Sequence, residues 1–180
     1  NNREKKAIAA AAAGLIATGQ SLFIDGSTTC IQLAKELAFQ RKGLTIISNS
    51  SLICLELGHN GEHKIIGIGG EYDSSSASFV GCTCEEALER FYMDAAVFST
   101  KGFLPGDGTY ESSMATLRVK QVAARRCARV ILLVDHTKFD QRSLCKVLDV
   151  SQIHTVVTDE LAPPEAVDLL RRGGREVFLA

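Results

Sequence analysis

Apolar residues along this chain of 180 residues fall into two alternating kinds of run. Short, solidly apolar stretches stand at Leu22 to Ile24, Leu44 to Ile47, Lys64 to Ile68, Ala95 to Phe98, Val130 to Val134 and Thr155 to Val157, with Val177 to Leu179 as a candidate last strand. Between them apolar positions recur at helical spacing, predicting helices over residues 28 to 41, 50 to 59, 83 to 91, 112 to 128 and 164 to 172. A first helix is predicted over residues 3 to 18 from Ala7, Ile8, Ala11, Ala12, Leu15 and Ile16, with Gly19 as its stop. Its small alanines suit close packing on a sheet or on another subunit. Runs that are apolar throughout, rather than alternating, suit strands buried on both faces. The predicted architecture is therefore α/β, a doubly wound and mainly parallel sheet forming a single domain.

If the strands are parallel, their carboxyl ends carry polar or glycine-rich turns. These are Asp25-Gly26-Ser27, Ser48-Asn49-Ser50, Gly69-Gly70-Glu71, Thr100-Lys101-Gly102 and Asp135-His136-Thr137-Lys138. Ligands of open α/β sheets bind in the crevice outside those ends, so the turns converge on one expected site. The first is the most informative. Strand Leu22 to Ile24 runs into Asp25, Gly26, Ser27, Thr28 and Thr29, and then into a helical pattern. Free amides and the dipole at a helix start favour an anion there, glycine permits close approach, and the hydroxyls add donors. The competing reading is an ordinary turn in which Ser27 or Thr28 caps the helix without any ligand.

Candidate chemistry around this edge follows from charge. Lys101, Lys120 and Lys138 are cations able to neutralise a phosphate, and Asp25, Asn49, Glu71, Glu111 and Asp135 are candidate partners for sugar hydroxyls. Gly69, Gly70 and Gly102 add places where backbone can approach a ligand. Each charged residue taken singly is equally a solvated surface group. The basic stretch Arg118, Lys120, Arg125, Arg126 and Arg129 reads as a solvated face before it reads as a nucleic-acid helix, since aromatic interleaving is lacking. Asp135 beside His136 gives no catalytic dyad by adjacency alone, because neighbours on extended backbone point apart.

Composition narrows the classes. A net charge of -1 gives no overall attraction to nucleic acid or anionic membrane. The six cysteines are scattered; Cys82 and Cys84 are the only close pair and no second ligand pair stands at a zinc spacing, so neither a metal nor a cofactor is expected. Unpatterned thiols fit a reducing cytoplasm, and no apolar run is long enough for a transmembrane helix. The start, Asn1-Asn2-Arg3-Glu4-Lys5-Lys6, enters a helix without an initiator methionine, which suggests a piece of a longer protein.

An ordered set of segments carries a family resemblance. They are Asp25-Gly26-Ser27-Thr28-Thr29 followed by Leu33-Ala34, Leu44 to Ser50, Gly69-Gly70-Glu71-Tyr72, Phe79-Val80-Gly81, Ala95 to Phe98, Val119-Lys120, Asp135 to Phe139 and Val157-Thr158-Asp159. The chain resembles the effector-sensing C-terminal domain of DeoR-family bacterial transcriptional regulators over nearly its whole length. The resemblance implies a fold like that of ribose-5-phosphate isomerase, glucosamine-6-phosphate deaminase and CoA transferases. It also implies a phosphorylated sugar or related metabolite as effector, and a winged helix-turn-helix upstream that binds operator DNA. Family members often carry an acid before glycine after the fourth strand, where this chain has Thr100-Lys101-Gly102. A lysine there points away from isomerase chemistry and towards holding an anion.

Three functions are open on the sequence. A sensor would seat phosphate on residues 26 to 29 and relay binding through the first helix to DNA, as a homo-oligomer. An aldose-ketose isomerase on the same fold would need Glu111 or Asp135 for proton transfer. A third reading makes the domain chiefly an oligomerisation module, with the alanine-rich helix as interface.

Overall fold

The computed structural model describes residues 1–40, 42–59 and 61–180. Among these residues twelve strands and six α-helices follow in the order α1 (Asn2–Gly14), β1 (Ser21–Ile24), α2 (Thr28–Gln40), β2 (Thr45–Ser48), α3 (Ser51–Gly58), β3 (Lys64–Gly67), β4 (Glu71–Asp73), β5 (Ser78–Val80), α4 (Cys82–Leu88), β6 (Met93–Phe98), β7 (Gly102–Leu104), β8 (Gly108–Glu111), α5 (Met114–Arg125), β9 (Cys127–Leu133), β10 (Cys145–Asp149), β11 (Thr155–Thr158), α6 (Pro164–Arg172) and β12 (Glu176–Leu179). The last residue of the predicted helix 28 to 41 lies outside the described residues.

Seven strands form one parallel sheet in the order β12-β11-β9-β6-β1-β2-β3. Alternate residues along each strand feed opposite faces. Leu22, Ile24, Ala95, Val97, Ile131 and Leu133 pack with the buried faces of α1, α2 and α3. Phe23, Ala96, Phe98, Val130 and Leu132 pack with α4, α5 and α6 on the other side. Because both faces of the central strands are covered, stretches such as Leu22 to Ile24 and Val130 to Leu133 are apolar at successive positions, which makes them legible as solid runs. The alanine stripe of α1 is used inside the chain: Ile8, Ala9, Ala12 and Ala13 are fully or almost fully buried against α2 and the sheet. Pro164 opens α6, where a missing amide costs nothing.

Five short strands escaped the apolar pattern. β4 and β5 form an antiparallel hairpin, and β10, β8 and β7 form a small antiparallel sheet. Each has three to five residues and mixes polar, glycine and half-buried positions, so no periodicity marks it. Backbone approach fixes the small sheet. A Cβ on Gly108, whose φ is +156°, would stand 1.9 Å from the Leu148 carbonyl oxygen, and one on Gly102 would stand 2.3 Å from that of Gln141. Only glycine fits at these crossings.

Candidate functional site

Strand order reverses at β1. Its chain successors β2 and β3 lie on one side, while β6, β9, β11 and β12 lie on the other. The crevice of such a sheet opens at the carboxyl ends of the two strands that meet there, β1 and β6. Asp25 sits at that point, 4% exposed, and its carboxylate ties the two strand ends together. Oδ1 accepts the Ser27 amide at 3.0 Å, and Oδ2 accepts the Ser99 amide at 3.1 Å.

Lys120, brought in from α5, completes this core. Its Nζ lies 3.2 Å from Asp25 Oδ2, 2.5 Å from Glu111 Oε1 and 2.6 Å from the Ser99 carbonyl oxygen. All three ammonium protons therefore have partners. Burial pushes the Lys120 pKa down, but Asp25 and Glu111 outweigh it and hold the ammonium above its ordinary value. Burial likewise raises Asp25, and the Lys120 charge with the Ser27 hydrogen bonds more than reverses that, leaving the carboxyl below its ordinary range. The sequence offers Lys120 as a candidate cation for a ligand phosphate; in the structure its ammonium lies between two buried carboxylates. Asp25 and Glu111, expected to meet sugar hydroxyls, are its partners.

The turn after β1 combines both sequence readings. Ser27 Oγ accepts the Cys30 amide at 3.3 Å and so caps α2. Gly26, meanwhile, is closely approached: a Cβ there would lie 2.5 Å from Ser78 Oγ and 2.9 Å from Ser50 Oγ. Ser50 comes from the β2–α3 turn and Ser78 from β5. The hairpin is held in place by Asn49, whose Nδ2 donates to the Phe79 carbonyl at 2.7 Å while its own carbonyl accepts the Phe79 amide. Asn49 is thus a tether for the hairpin that brings Ser78 to Gly26. Thr29 is buried, and Thr28 is exposed with its hydroxyl 2.9 Å from Lys5 Nζ of α1.

The remaining expected residues occupy the same edge at greater distance. Lys101 is exposed at the end of β6, its amide donating to the Tyr110 carbonyl at the start of the small sheet. Gly69, Gly70 and Glu71 lie beyond β3, two strands from β1, which is about 10 Å at ordinary strand spacing. Asp135 and Lys138 follow β9, also two strands away on the other side. Asp135 accepts both the amide and the hydroxyl of Thr137, and Asn1 Nδ2 at 3.5 Å. The carboxylate partner of His136 is not its neighbour Asp135. It is Asp159 at the end of β11, whose oxygens meet His136 Nδ1 at 2.8 Å and the His136 amide at 2.7 Å.

Sequence reasoning missed four contributors: Asn1, Lys5, Ser78 and Asp159. Lys5 lies on a helix whose sequence signal is its apolar stripe, and Ser78 lies in a strand without an apolar signature. The basic residues of α5 and after it are paired instead of free. Arg118 meets Glu85 at 3.1 Å, Arg125 meets Glu89 at 2.6 Å, and Arg129 donates to Thr155 Oγ1. Arg126 donates to the Phe91 carbonyl and lies over the Tyr92 ring. The six cysteines are free thiols, and no group of three metal-ligating side chains occurs among the described residues.

Comparison with known proteins gives this geometry its family. A model of the DeoR C-terminal sensor domain matches residues 1–160. The chain belongs to the DeoR sensor-domain family. It is 33% identical over 160 residues to the transcriptional repressor AccR of Agrobacterium fabrum, covering 88% of this chain and 62% of that protein. It is 31% identical over 175 residues to the lactose phosphotransferase system repressor of Lactococcus lactis, covering 93% and 66%. The chain thus spans just under two thirds of the length of these curated relatives. Among solved structures, eIF2B beta from Chaetomium thermophilum aligns with a TM-score of 0.63 at 15% identity, covering 95% of this chain and 53% of that one. A D-ribose-5-phosphate isomerase in complex with phospho-erythronic acid aligns with a TM-score of 0.55 at 17% identity, covering 75% and 52%. These likenesses establish a shared fold, the one expected from the sequence. The chain is a sensor domain related to those of DeoR-family transcriptional regulators, and no helix among the described residues is long and apolar enough to cross a membrane.

Proposed function

We propose that this domain binds a phosphorylated sugar or a related anionic metabolite at the switch point and reports it to operator DNA through a helix-turn-helix region of the full-length regulator. The observation that carries this reading is the turn at residues 26 to 29. There the start of α2 meets a glycine backbone lined by serine hydroxyls, and the Lys5 ammonium lies on Thr28. Amides, hydroxyls and an ammonium on one turn are the donor set that a phosphate needs. Lys101 and Lys138, farther along the edge, are the remaining cations within the proposed site, and Gly69 to Glu71 and Asp135 line its margins.

The Asp25–Lys120–Glu111 cluster supports sensing over turnover. Two carboxylates with one ammonium leave a net negative charge, so the cluster itself does not attract phosphate. Its place in the proposal is to fix the two strand ends against each other while the phosphate sits one turn away. An isomerase needs a carboxylate free to take a substrate proton. Here Glu111 is engaged by Lys120, which also holds Asp25, and Asp135 is engaged by the Thr137 amide and hydroxyl.

The test is a thermal-shift panel of phosphosugars on the intact regulator, with and without operator DNA, since a ligand that binds only the folded state raises the melting temperature. At least one phosphosugar stabilises the wild-type protein and its unphosphorylated counterpart does not. Ser27→Ala weakens that response. Incubation followed by NMR shows no interconversion of the bound sugar; sustained turnover lost in Glu111→Gln makes the protein an enzyme instead. Light scattering on the same samples tests the homo-oligomer proposed for the family arrangement.

A further inference from the structure

The first turn of α1 touches two of the loops that frame the proposed site. Lys5 Nζ donates to Thr28 Oγ1 at 2.9 Å, at the turn after β1. Asn1 Nδ2 lies 3.2 Å from Thr137 Oγ1 and 3.5 Å from Asp135 Oδ1, in the turn after β9. β1 and β9 stand on either side of β6, so one helical turn bridges the strand end at the centre of the sheet. The rest of α1 is anchored: Ile8, Ala9, Ala12 and Ala13 are buried in the core. Among the described residues, the side-chain hydrogen bonds from this helix and its cap to other elements come from Asn1 and Lys5, and their acceptors are the Thr28 and Thr137 hydroxyls and the already partnered Asp135 carboxylate.

We propose that this turn is a latch that reads occupancy of the site, with Lys5 as the residue that changes partner. The inference rests on the proposed phosphate seat and adds its coupling device. Without ligand, the Lys5 ammonium is satisfied by a neutral hydroxyl. A phosphate seated on residues 26 to 29 offers the same ammonium a charged acceptor, and a charge-assisted bond is roughly twice as strong as a neutral one. Lys5 shifts to the ligand and the first turn of α1 is drawn down onto the edge. Thr28, relieved of Lys5, turns its hydroxyl to the same anion. Because coupling is reciprocal, any chain preceding α1 that prefers one position of this turn changes ligand affinity by the same factor that ligand changes its position.

The neighbouring Lys6 supplies a matched control, since it carries the same charge, is exposed and lies about 100° around the helix. Inorganic phosphate and the stabilising phosphosugar are titrated into the intact protein and into Lys5→Met and Lys6→Met. Hydrogen exchange is followed in peptides covering residues 1 to 10. In the wild type, ligand slows exchange in those peptides. Lys5→Met loses about tenfold in affinity, within the usual range of coupling factors, and shows no ligand-dependent protection; Lys6→Met behaves as wild type. If a phosphosugar binds but exchange at residues 1 to 10 is unchanged and Lys5→Met binds equally well, the latch is wrong and the proposed site stands. If neither phosphate nor any phosphosugar binds the wild type, the proposed site fails and the latch fails with it. Equal losses in both lysine variants reduce the effect to general charge and also overturn the latch.

Discussion

Lys120 Nζ stands 3.2 Å from Asp25 Oδ2, although the two residues are 95 positions apart and one belongs to a helix while the other ends a strand. This pair, with Glu111 on its far side, pins α5 and the small sheet to the point where strand order reverses. Removing the lysine alone leaves two buried carboxylates facing each other. Breaking a buried pair from one side costs about 3–5 kcal/mol. Lys120→Met is therefore expected to lower the melting temperature by on the order of 10 °C in a domain of this size, measured by calorimetry.

The same pair sets a pH window. Asp25 has its pKa lowered in the folded protein, so its contribution is complete above its ordinary value of 3.8 and is lost as pH falls through the depressed value. Lys120 has its pKa raised, so its contribution is complete below 10.5 and is lost as pH rises through the elevated value. Urea midpoints should be flat with respect to this cluster between about pH 4 and 10, falling outside. In the double variant Asp25→Asn/Lys120→Met the part of both limbs due to the pair should disappear, whatever the double variant's absolute stability.

Gly26 makes a steric prediction. Alanine there places a Cβ 2.5 Å from Ser78 Oγ and 2.9 Å from Ser50 Oγ, so the hairpin or the β2–α3 turn must move. Overpacking of this kind costs about 1–3 kcal/mol. Gly26→Ala should be destabilised and bind phosphosugar poorly, and adding Ser78→Ala should recover part of the stability because the nearer obstacle is gone. A Gly26→Ala protein as stable as wild type would show that the turn is looser than its contacts imply.

Asp159 accepts the His136 amide, His136 Nδ1 and the Leu161 amide, at 2.7, 2.8 and 3.1 Å. With Asp159 at 3% exposure, Asp159→Ala strands these donors and should cost about 1–3 kcal/mol. The carboxylate also orients the ring through Nδ1. Nitrogen NMR should find His136 Nδ1 hydrogen-bonded in the wild type and should lose that signature in Asp159→Ala.

The sheet was legible because its physics is local and repetitive. Strands such as Leu22 to Ile24 and Val130 to Val134 are buried on both faces, so burial writes itself into every position. The helices between them show their single buried stripe at helical spacing, and each of the six appears within a few residues of its expected place. Three- to five-residue strands such as Ser78–Val80 and Gly108–Glu111 show no such signal. They are held by pairing with distant backbone and by glycines such as Gly108 that admit a passing carbonyl.

The sequence by itself determined the fold class, the parallel sheet edge and the turn at Asp25 to Thr29 as the centre of interest, since each follows from hydrophobic periodicity and turn chemistry. Only the tertiary structure decided what the charged residues do. Lys120, a free cation on paper, is enclosed by Asp25, Glu111 and the Ser99 carbonyl; Lys5, unremarked on its helix, reaches Thr28. Charge pairing depends on which elements the sheet brings within a few ångströms, and that distance is set by strand order and helix docking, which no local pattern encodes.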